Sequence, residues 1–208
     1  MRTGYGLLAL TLNIAVLATL YFMVGSASLP GQQVLLFFVL AGTHSLAEAS
    51  LQTGSDSVST RGAYATGATL LFIFTLALAT GQSHWLSSLG AALMLVGILL
   101  RAAAMRALAG RFVSGVRAAP SNDLVMHGLY ATLRHPSETG LLCIAAGAAL
   151  LLGSNSALLV CGLAFLPLVV IRVRYEDKDL RRLYGRDYAR YAARVPALIP
   201  LFSKKLDF

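Results

Sequence analysis

The feature that most constrains this chain is a charge-free run near its start, because no Asp, Glu, Lys or Arg occurs from Thr3 to Ala47. Soluble domains rarely contain such a stretch, whereas about 20 apolar residues suffice for a helix to cross a ~30 Å hydrocarbon core. The rest of the chain agrees, since 57% of its residues are hydrophobic, 12% are charged and the mean hydropathy is +0.70. We therefore predict an integral membrane protein.

The first half of the chain contains four apolar blocks that are long enough to span a membrane. The predicted spans cover residues 5–25, 32–51, 63–80 and 85–109. Trp85 is a suitable interfacial anchor at the start of the fourth span. The short loops after the first and third spans carry no Lys or Arg, which places them outside if the N-terminus is cytoplasmic.

The net charge of +8 and the pI near 9.9 can also indicate a nucleic-acid-binding surface. The positions of the basic residues argue against that function. They lie at Arg2, at Arg61, between Arg101 and Arg134, and from Arg172 onward, so they occupy alternate connecting segments. This asymmetry follows the positive-inside rule. We expect membrane lipids and not nucleic acid as partners, with both termini on the cytoplasmic side of a bacterial inner membrane.

The last apolar block, residues 139–171, contains no charged residue, but a Gly-Ser-Asn-Ser sequence at 153–156 interrupts its middle. The pattern predicts two helices of about 16 residues, each roughly 24 Å long, that form a hairpin. A hairpin returns the chain to the face that it left. We therefore expect residues around His135 and Glu176 to meet at one cytoplasmic rim of the membrane.

Beyond the hairpin the tail predicts an amphipathic helix on the cytoplasmic membrane surface. Its apolar and aromatic residues recur at steps of three and four: Leu180, Leu183, Tyr184, Tyr188 and Tyr191. Pro196 and Pro200 are expected to end it. The predicted fold class is all-α, with one polytopic membrane domain over residues 1–208. We expect about six membrane helices, the last two forming the short hairpin, and a four-span part in residues 1–110.

Residues 124–140, LVMHGLYATLRHPSETG, are more polar than a simple connector between two spans requires. Pro136 suits the first position of a helix, and free amide groups after it would suit a carboxylate or phosphate. An alternative interpretation is that Arg134, His135 and Pro136 only mark the start of a helix beside the membrane. The residues alone leave both interpretations open.

Two acid–base pairs lie four residues apart on predicted helices, so each pair shares one helix face. Arg172 and Glu176 lie where the final membrane helix emerges, and they indicate either a functional pair or a simple ion pair at the membrane edge. His44 and Glu48 lie near the cytoplasmic end of the second span. That position favours packing within the bundle over catalysis, with Glu48 able to extend towards the interface.

Two blocks of residues then carry a resemblance to a known family. The first block contains Leu124, Val125, Gly128, Tyr130, Arg134, His135, Pro136, Ser137 and Gly140. The second contains Arg172, Glu176, Asp177, Leu180, Tyr184, Gly185, Tyr188, Tyr191, Val195, Pro196 and Pro200. In this combination and spacing, residues 115–202 resemble the isoprenylcysteine carboxyl methyltransferase family and its phospholipid methyltransferase relatives.

The resemblance implies an S-adenosylmethionine-dependent methyltransferase that acts at the cytoplasmic membrane rim on a small lipophilic or membrane-embedded acceptor. It implies carboxyl O-methylation, or N- or S-methylation, without a metal. The cofactor pocket would be lined by Asn122, Asp123, Leu124, Val125, Tyr130, His135, Pro136, Ser137, Glu138 and Glu176. Arg134, Arg172 and Glu176 would take part in the chemistry, and Arg172 would contact the methyl acceptor.

Two positions depart from the family pattern and bear on the substrate. Glu138 stands where the family commonly has an aromatic residue, and Gly115 stands where some relatives have a polar cofactor contact. An acid at position 138 can pair with the ammonium group of the cofactor or attract a cationic acceptor. Two other functions stay open: a membrane reductase similar to sterol reductases that uses NADPH, and a non-catalytic module whose basic tail binds anionic lipid.

Overall fold

The structure is a computed structural model that describes residues 29–51, 59–108 and 124–198. The predicted first span therefore lies outside the described residues, as do Asn122, Asp123, Gly115 and Pro200. All regular secondary structure in the described part is helical, which confirms the predicted all-α class for that part of the chain.

The α-helices of the described residues overlap the predicted apolar blocks. They are α1 (Gly31–Leu51), α2 (Ser59–Thr80), α3 (Ser87–Ala107), α4 (Pro136–Leu151), α5 (Asn155–Val160) and α6 (Leu166–Ala192). A π-helical turn, Cys161–Phe165, joins α5 to α6 without a break, and a 3-10 turn, Gly128–Ala131, precedes α4. The helices predicted over the second, third and fourth apolar blocks are confirmed.

Within the described residues, two helices are long and apolar enough to cross a membrane, namely Ser87–Ala107 and Asn155–Ala192. Ala65–Thr80 and Pro136–Leu151 are apolar but shorter. The total of six spans stays a prediction, and so does the cytoplasmic position of the termini.

The predicted hairpin turn lies between α4 and α5. Gly153 has a φ of +63°, and a Cβ at this position would collide with the carbonyl oxygen of Gln82, so only glycine fits. Ser154 then caps the next helix, because its hydroxyl accepts a hydrogen bond of 3.1 Å from the Ala157 amide. The predicted turn is thus confirmed at Gly153 and Ser154, whereas Asn155 and Ser156 already belong to α5. The turn lies against the α2–α3 loop, and this contact requires Gly153.

Glycines bring α3 and α4 into backbone contact. A Cβ on Gly97 would lie 2.6 Å from the carbonyl oxygen of Gly140, and a Cβ on Gly140 would lie 2.7 Å from that of Gly97. Further along the same pair of helices, a Cβ on Gly90 would collide with a backbone nitrogen of α4, and one on Gly147 would lie 2.5 Å from a backbone nitrogen of α3. Small residues at such positions let membrane helices approach closely. The end of α3 and the start of α4 are therefore held side by side.

Large apolar side chains fill the space between the other helices. Phe37 of α1, Ile73 of α2, Met94 of α3, Ile144 of α4 and Phe165 of the π-helical turn are all fully buried. Because close-packed interiors resist separation of their elements, these side chains hold the helices as one bundle around the ends of α3 and α4.

The tail helix differs from the prediction of a separate surface helix. As far as Tyr184 it continues the last apolar helix, and after a bend a second helical segment ends at Ala192, before Pro196. Gly185 interrupts it with a φ of 54° and a ψ of −123°. Tyr188 and Tyr191, which follow this bend, are buried, whereas Leu183 is exposed. The predicted contact of this helix with the membrane surface stays a prediction.

Candidate active site

The hairpin brings the turn before α4 into contact with α6, as predicted. His135 Nε2 lies 2.7 Å from Asp177 Oδ1, and His135 Nδ1 lies 3.4 Å from Glu176 Oε2. His135 is buried, whereas 34% of the Glu176 side chain remains exposed. Two segments that are about forty residues apart in sequence therefore meet in one polar site. Arg134, His135, Glu176 and Asp177 are here called the rim cluster.

Asp177 is the centre of the rim cluster. Its Oδ2 lies 2.8 Å from Arg134 Nη1, and its Oδ1 accepts hydrogen bonds from His135 and from the Tyr188 hydroxyl. The sequence pattern includes Asp177 in an acidic pair but predicts no contact for it in the site. The acidic pair itself was a signal, but the sequence does not tell which of its two carboxylates faces His135 more closely.

The bend at Gly185 makes the contact between Tyr188 and Asp177 possible. In a straight helix, residues 11 positions apart are separated by roughly 16 Å along the axis. The non-helical conformation of Gly185 turns the chain back, so the Tyr188 hydroxyl reaches Asp177 on the same helix. Glycine adopts this left-handed conformation at the least cost.

The chain after α6 runs back along the turn before α4. Three hydrogen bonds attach it: Arg134 N to Pro196 O at 2.9 Å, His135 N to Ala197 O at 3.0 Å, and Thr139 Oγ1 to Leu198 O at 2.7 Å. Because two of these bonds satisfy the main chain of Arg134 and His135, residues 194–198 fix the position of the rim cluster from outside the bundle.

The charge state of His135 is set by its neighbours. Burial disfavours the charged ring, but hydrogen bonds to Asp177 and Glu176 outweigh it and raise the pKa of His135 to about 9. His135 is therefore an imidazolium at neutral pH, which donates a hydrogen bond from Nε2 to Asp177 and forms an ion pair through Nδ1 with Glu176. In this state it holds two carboxylates in place.

The start of α4 confirms one prediction and corrects another. Pro136 is the first helical residue, as predicted, with His135 as the preceding cap. However, the amides of Glu138 and Thr139 both donate to the carbonyl oxygen of His135, at 3.2 and 3.1 Å. The prediction of free amides after Pro136 is therefore wrong for these two groups, because the first turn closes on its own cap residue.

The spacing of Arg172 and Glu176 suggests an ion pair between them, but Arg172 contacts other residues. Its Nη2 lies 3.3 Å from Glu138 Oε1, and its Nη1 donates a 2.9 Å hydrogen bond to Thr66 Oγ1. Between the described side chains of Arg172 and Glu176 there is no ion pair. The Glu138 side chain is only 4% exposed, so it competes better for the guanidinium than Glu176, which faces His135.

Arg101 of α3 is a site residue that the sequence pattern did not reveal. Its Nη1 donates a 2.6 Å hydrogen bond to Ser137 Oγ and lies 4.0 Å from Glu138 Oε1. Its Nε pairs with Glu48 of α1, which supports the packing interpretation of Glu48. An arginine inside an apolar helix was the available signal, because such residues seldom face lipid. Glu48, Arg101, Glu138 and Arg172 are here called the deep cluster.

Two buried side-chain atoms of these clusters have no hydrogen-bond partner among the residues that the structure describes. They are Arg134 Nε in the rim cluster and Glu138 Oε2 in the deep cluster. The first is a donor and the second is an acceptor. Buried polar atoms are nearly always paired, so these two atoms are candidate contacts for a ligand or for residues outside the described part.

The other predicted pocket residues lie around the turn before α4. The Tyr130 hydroxyl donates a 3.3 Å hydrogen bond to the carbonyl oxygen of Ala104, and the Tyr130 carbonyl oxygen accepts one of 2.6 Å from Tyr191. Leu124 and Val125 are half-buried just before this turn. Their contact with a cofactor stays a prediction.

Comparison with known proteins supports the resemblance that the sequence motifs carry. Residues 85–187 match the family model described as phospholipid methyltransferase. The chain is 30% identical over 122 residues to protein-S-isoprenylcysteine O-methyltransferase B of Arabidopsis thaliana, a match that covers 57% of this chain and 61% of that protein. It is 35% identical over 109 residues to the protein-S-isoprenylcysteine O-methyltransferase of Schizosaccharomyces pombe, covering 51% of this chain and 46% of that protein. The chain thus matches less than two thirds of the length of these relatives.

The fold is also similar to that of a solved structure. The eukaryotic intramembrane Ras methyltransferase, isoprenylcysteine carboxyl methyltransferase, superposes with a TM-score of 0.61 at 23% identity, covering 91% of this chain and 74% of that chain. These comparisons favour neither the reductase nor the non-catalytic module. The predicted resemblance is confirmed, since residues 85–187 match the phospholipid methyltransferase family model and the fold is similar to that of isoprenylcysteine carboxyl methyltransferase.

Proposed function

We propose that this chain is an S-adenosylmethionine-dependent methyltransferase that acts at the cytoplasmic membrane rim on a small lipophilic or membrane-embedded acceptor. The observation that carries this proposal is the rim cluster, in which buried His135 contacts Glu176 and Asp177 beside the unpaired Arg134 Nε. The match to the family model and the names of the relatives support it.

The chemistry of the rim cluster fits the cofactor. S-adenosylmethionine presents a carboxylate, an ammonium group, ribose hydroxyls and a cationic sulfonium. Arg134 Nε is a free donor for the carboxylate, and the partly exposed Glu176 is an acceptor for the ammonium group or a ribose hydroxyl. The predicted lining residues Leu124, Val125, Tyr130, Pro136 and Ser137 would surround these contacts.

When bound, the cofactor supplies a methyl group on an electrophilic sulfonium. Methyl transfer is an in-line displacement at carbon, so the protein contributes alignment and exclusion of water instead of a covalent nucleophile. His135 fixes the directions of Glu176 and Asp177, and Asp177 in turn holds Arg134. Arg172 faces the interior of the bundle, where it would orient the methyl acceptor.

Isothermal titration calorimetry with S-adenosylhomocysteine tests this function on the purified protein in detergent and in lipid nanodiscs. Glu176→Gln removes a charged hydrogen-bond acceptor, so we expect the Kd to rise about tenfold or more. Asp179→Asn is the matched control, because Asp179 lies on the same helix and contacts only exposed Arg182 among the described side chains. It should leave the Kd unchanged.

Failure of the wild-type protein to bind S-adenosylhomocysteine in both detergent and lipid would contradict the proposed function. A parallel thermal-shift measurement separates the reductase alternative. S-adenosylhomocysteine, and not NADPH, should raise the Tm, because only a ligand that binds the native state stabilises it.

A further inference from the structure

The deep cluster is balanced in formal charge. Glu48 and Glu138 supply two carboxylates, and Arg101 and Arg172 supply two guanidinium groups. Arg101 and Glu138 are almost fully buried, with side-chain exposures of 6% and 4%. Uncompensated charge is costly in such surroundings. A ligand with a carboxylate head group would therefore add an uncompensated negative charge to a neutral cluster.

The hydrogen bonds of the deep cluster lead to the same conclusion. The Arg172 guanidinium already contacts Glu138 and Thr66, and the Arg101 guanidinium already contacts Glu48 and Ser137. The unpaired atom of this cluster among the described residues is Glu138 Oε2. A carboxylate oxygen only accepts hydrogen bonds when ionised, so its missing partner is an N–H or O–H group.

The Glu138 side chain is more deeply buried than Glu176 of the rim cluster. Its side chain is 4% exposed, whereas the Glu176 side chain is 34% exposed. Glu138 also contacts Arg172 of α6, whose other partner, Thr66, lies on α2 within the apolar bundle. A water-soluble cofactor reaches the exposed carboxylate first, and the buried carboxylate is left for a ligand that arrives from the apolar side.

We propose that Glu138 determines the class of methyl acceptor, by accepting a hydrogen bond through Oε2 from the head group of an uncharged lipophilic molecule such as an alcohol or neutral amine. Acceptors with a free carboxylate are disfavoured at this position. This inference rests on the proposed function, because it assigns Glu138 to the acceptor instead of to the ammonium group of the cofactor.

Two probes with one lipid tail test the proposal. S-farnesyl-2-thioethanol ends in a hydroxyl group, and S-farnesylthioacetic acid ends in a carboxylate of nearly the same size. Their Kd values are measured by calorimetry on the full chain in zwitterionic nanodiscs at pH 7.5, with empty nanodiscs subtracted. We expect the wild-type protein to bind the alcohol about tenfold more tightly than the acid, since an unpaired buried charge is costly.

Glu138→Gln removes one negative charge from the deep cluster without changing its shape. We expect the preference to shift about tenfold or more towards the acid, because Arg172 is then uncompensated. Asp187→Asn is the control, since it removes the same charge from an exposed position that contacts Arg190. It should leave the ratio of the two Kd values as in the wild type.

A double variant covers the case in which Glu138→Gln does not fold. Glu138→Gln combined with Arg172→Gln is again charge-balanced but lacks the carboxylate that accepts from the alcohol, so it should bind the alcohol about tenfold more weakly than the wild type while still disfavouring the acid. The proposal is overturned if the wild type prefers the acid, or if a folded Glu138→Gln variant keeps the wild-type ratio, or if the double variant prefers the acid.

Binding of S-adenosylhomocysteine distinguishes this inference from the proposed function. If the wild type binds S-adenosylhomocysteine but prefers the acid probe, only the assignment of Glu138 fails. If the wild type does not bind S-adenosylhomocysteine, the methyltransferase proposal fails, whatever the probes show.

Discussion

Replacement of Gly97 by alanine tests whether backbone contact between α3 and α4 positions the site. The added Cβ would lie 2.6 Å from the carbonyl oxygen of Gly140 and 2.8 Å from the amide nitrogen of Ile144. Both atoms belong to the backbone of α4, so no flexible side chain can move aside. The helices must separate by about 1 Å to restore ordinary contact, a displacement that close-packed interiors resist.

The expected cost follows from two opposing effects. Overpacking of this kind costs about 1–3 kcal/mol, and alanine recovers up to about 1 kcal/mol through its better helix propensity. A net loss of about 1–2 kcal/mol corresponds to a fall in Tm of roughly 2–8 °C for a chain of this size. The 2.6 Å bond between Arg101 and Ser137 crosses the same contact, so it should lengthen beyond hydrogen-bonding range.

Thermal unfolding of the purified protein in detergent measures this effect, with Gly67→Ala as the control. Gly67 lies on α2, and a Cβ at this position would have no atom of the described residues within 4 Å, so alanine should fit there without a fall in Tm. Equal Tm values for Gly97→Ala and Gly67→Ala would contradict this expectation, because they would show that α3 and α4 can separate without cost.

Three further predictions concern the bend, the histidine and the deep cluster. Gly185→Ala should lower the Tm, because a left-handed backbone costs a non-glycine residue about 1–3 kcal/mol. Gly162→Ala should not, because a Cβ at this position also meets no atom of the described part within 4 Å. The raised pKa of His135 stabilises the folded state fully below pH 6.5, and this stabilisation is lost as the pH rises through about 9. The Tm should therefore fall between these two pH values, and His135→Asn should abolish that fall. The shift corresponds to about 3 kcal/mol. Glu48→Gln removes the carboxylate that pairs with the buried guanidinium of α3 and should cost about 3–5 kcal/mol, far more than Asp187→Asn in the same unfolding assay.

The helices and the hairpin were predictable because their signals are local. An apolar block sets the length of a membrane helix, and a Gly-Ser-Asn-Ser sequence supplies both a left-handed turn residue and a cap. The meeting of His135 with Glu176 followed from the hairpin alone, since a hairpin returns the chain to its starting face. These parts of the site required no knowledge of side-chain partners.

The partners within the site were not predictable because they depend on how closely helices approach. Spacing of four residues placed Arg172 and Glu176 on one face, but it gave no information on Glu138, which competes for Arg172 from another helix. Arg101 reaches Ser137 only because glycines remove the side chains between α3 and α4. Similarly, Tyr188 contacts Asp177 only through the bend at Gly185, which a helical pattern does not reveal.

The start of α4 connects the two clusters and therefore the two expected ligands. It supplies Arg134 and His135 to the rim cluster. Within one further turn it supplies Ser137 and Glu138, which contact the arginines of the deep cluster. Alignment of two reactants depends on a rigid distance between their binding groups. Separation of α3 from α4 should therefore weaken the binding of both the cofactor and the methyl acceptor. A change at Glu176 should weaken the binding of the cofactor alone, and a change at Glu138 should alter the binding of the acceptor alone.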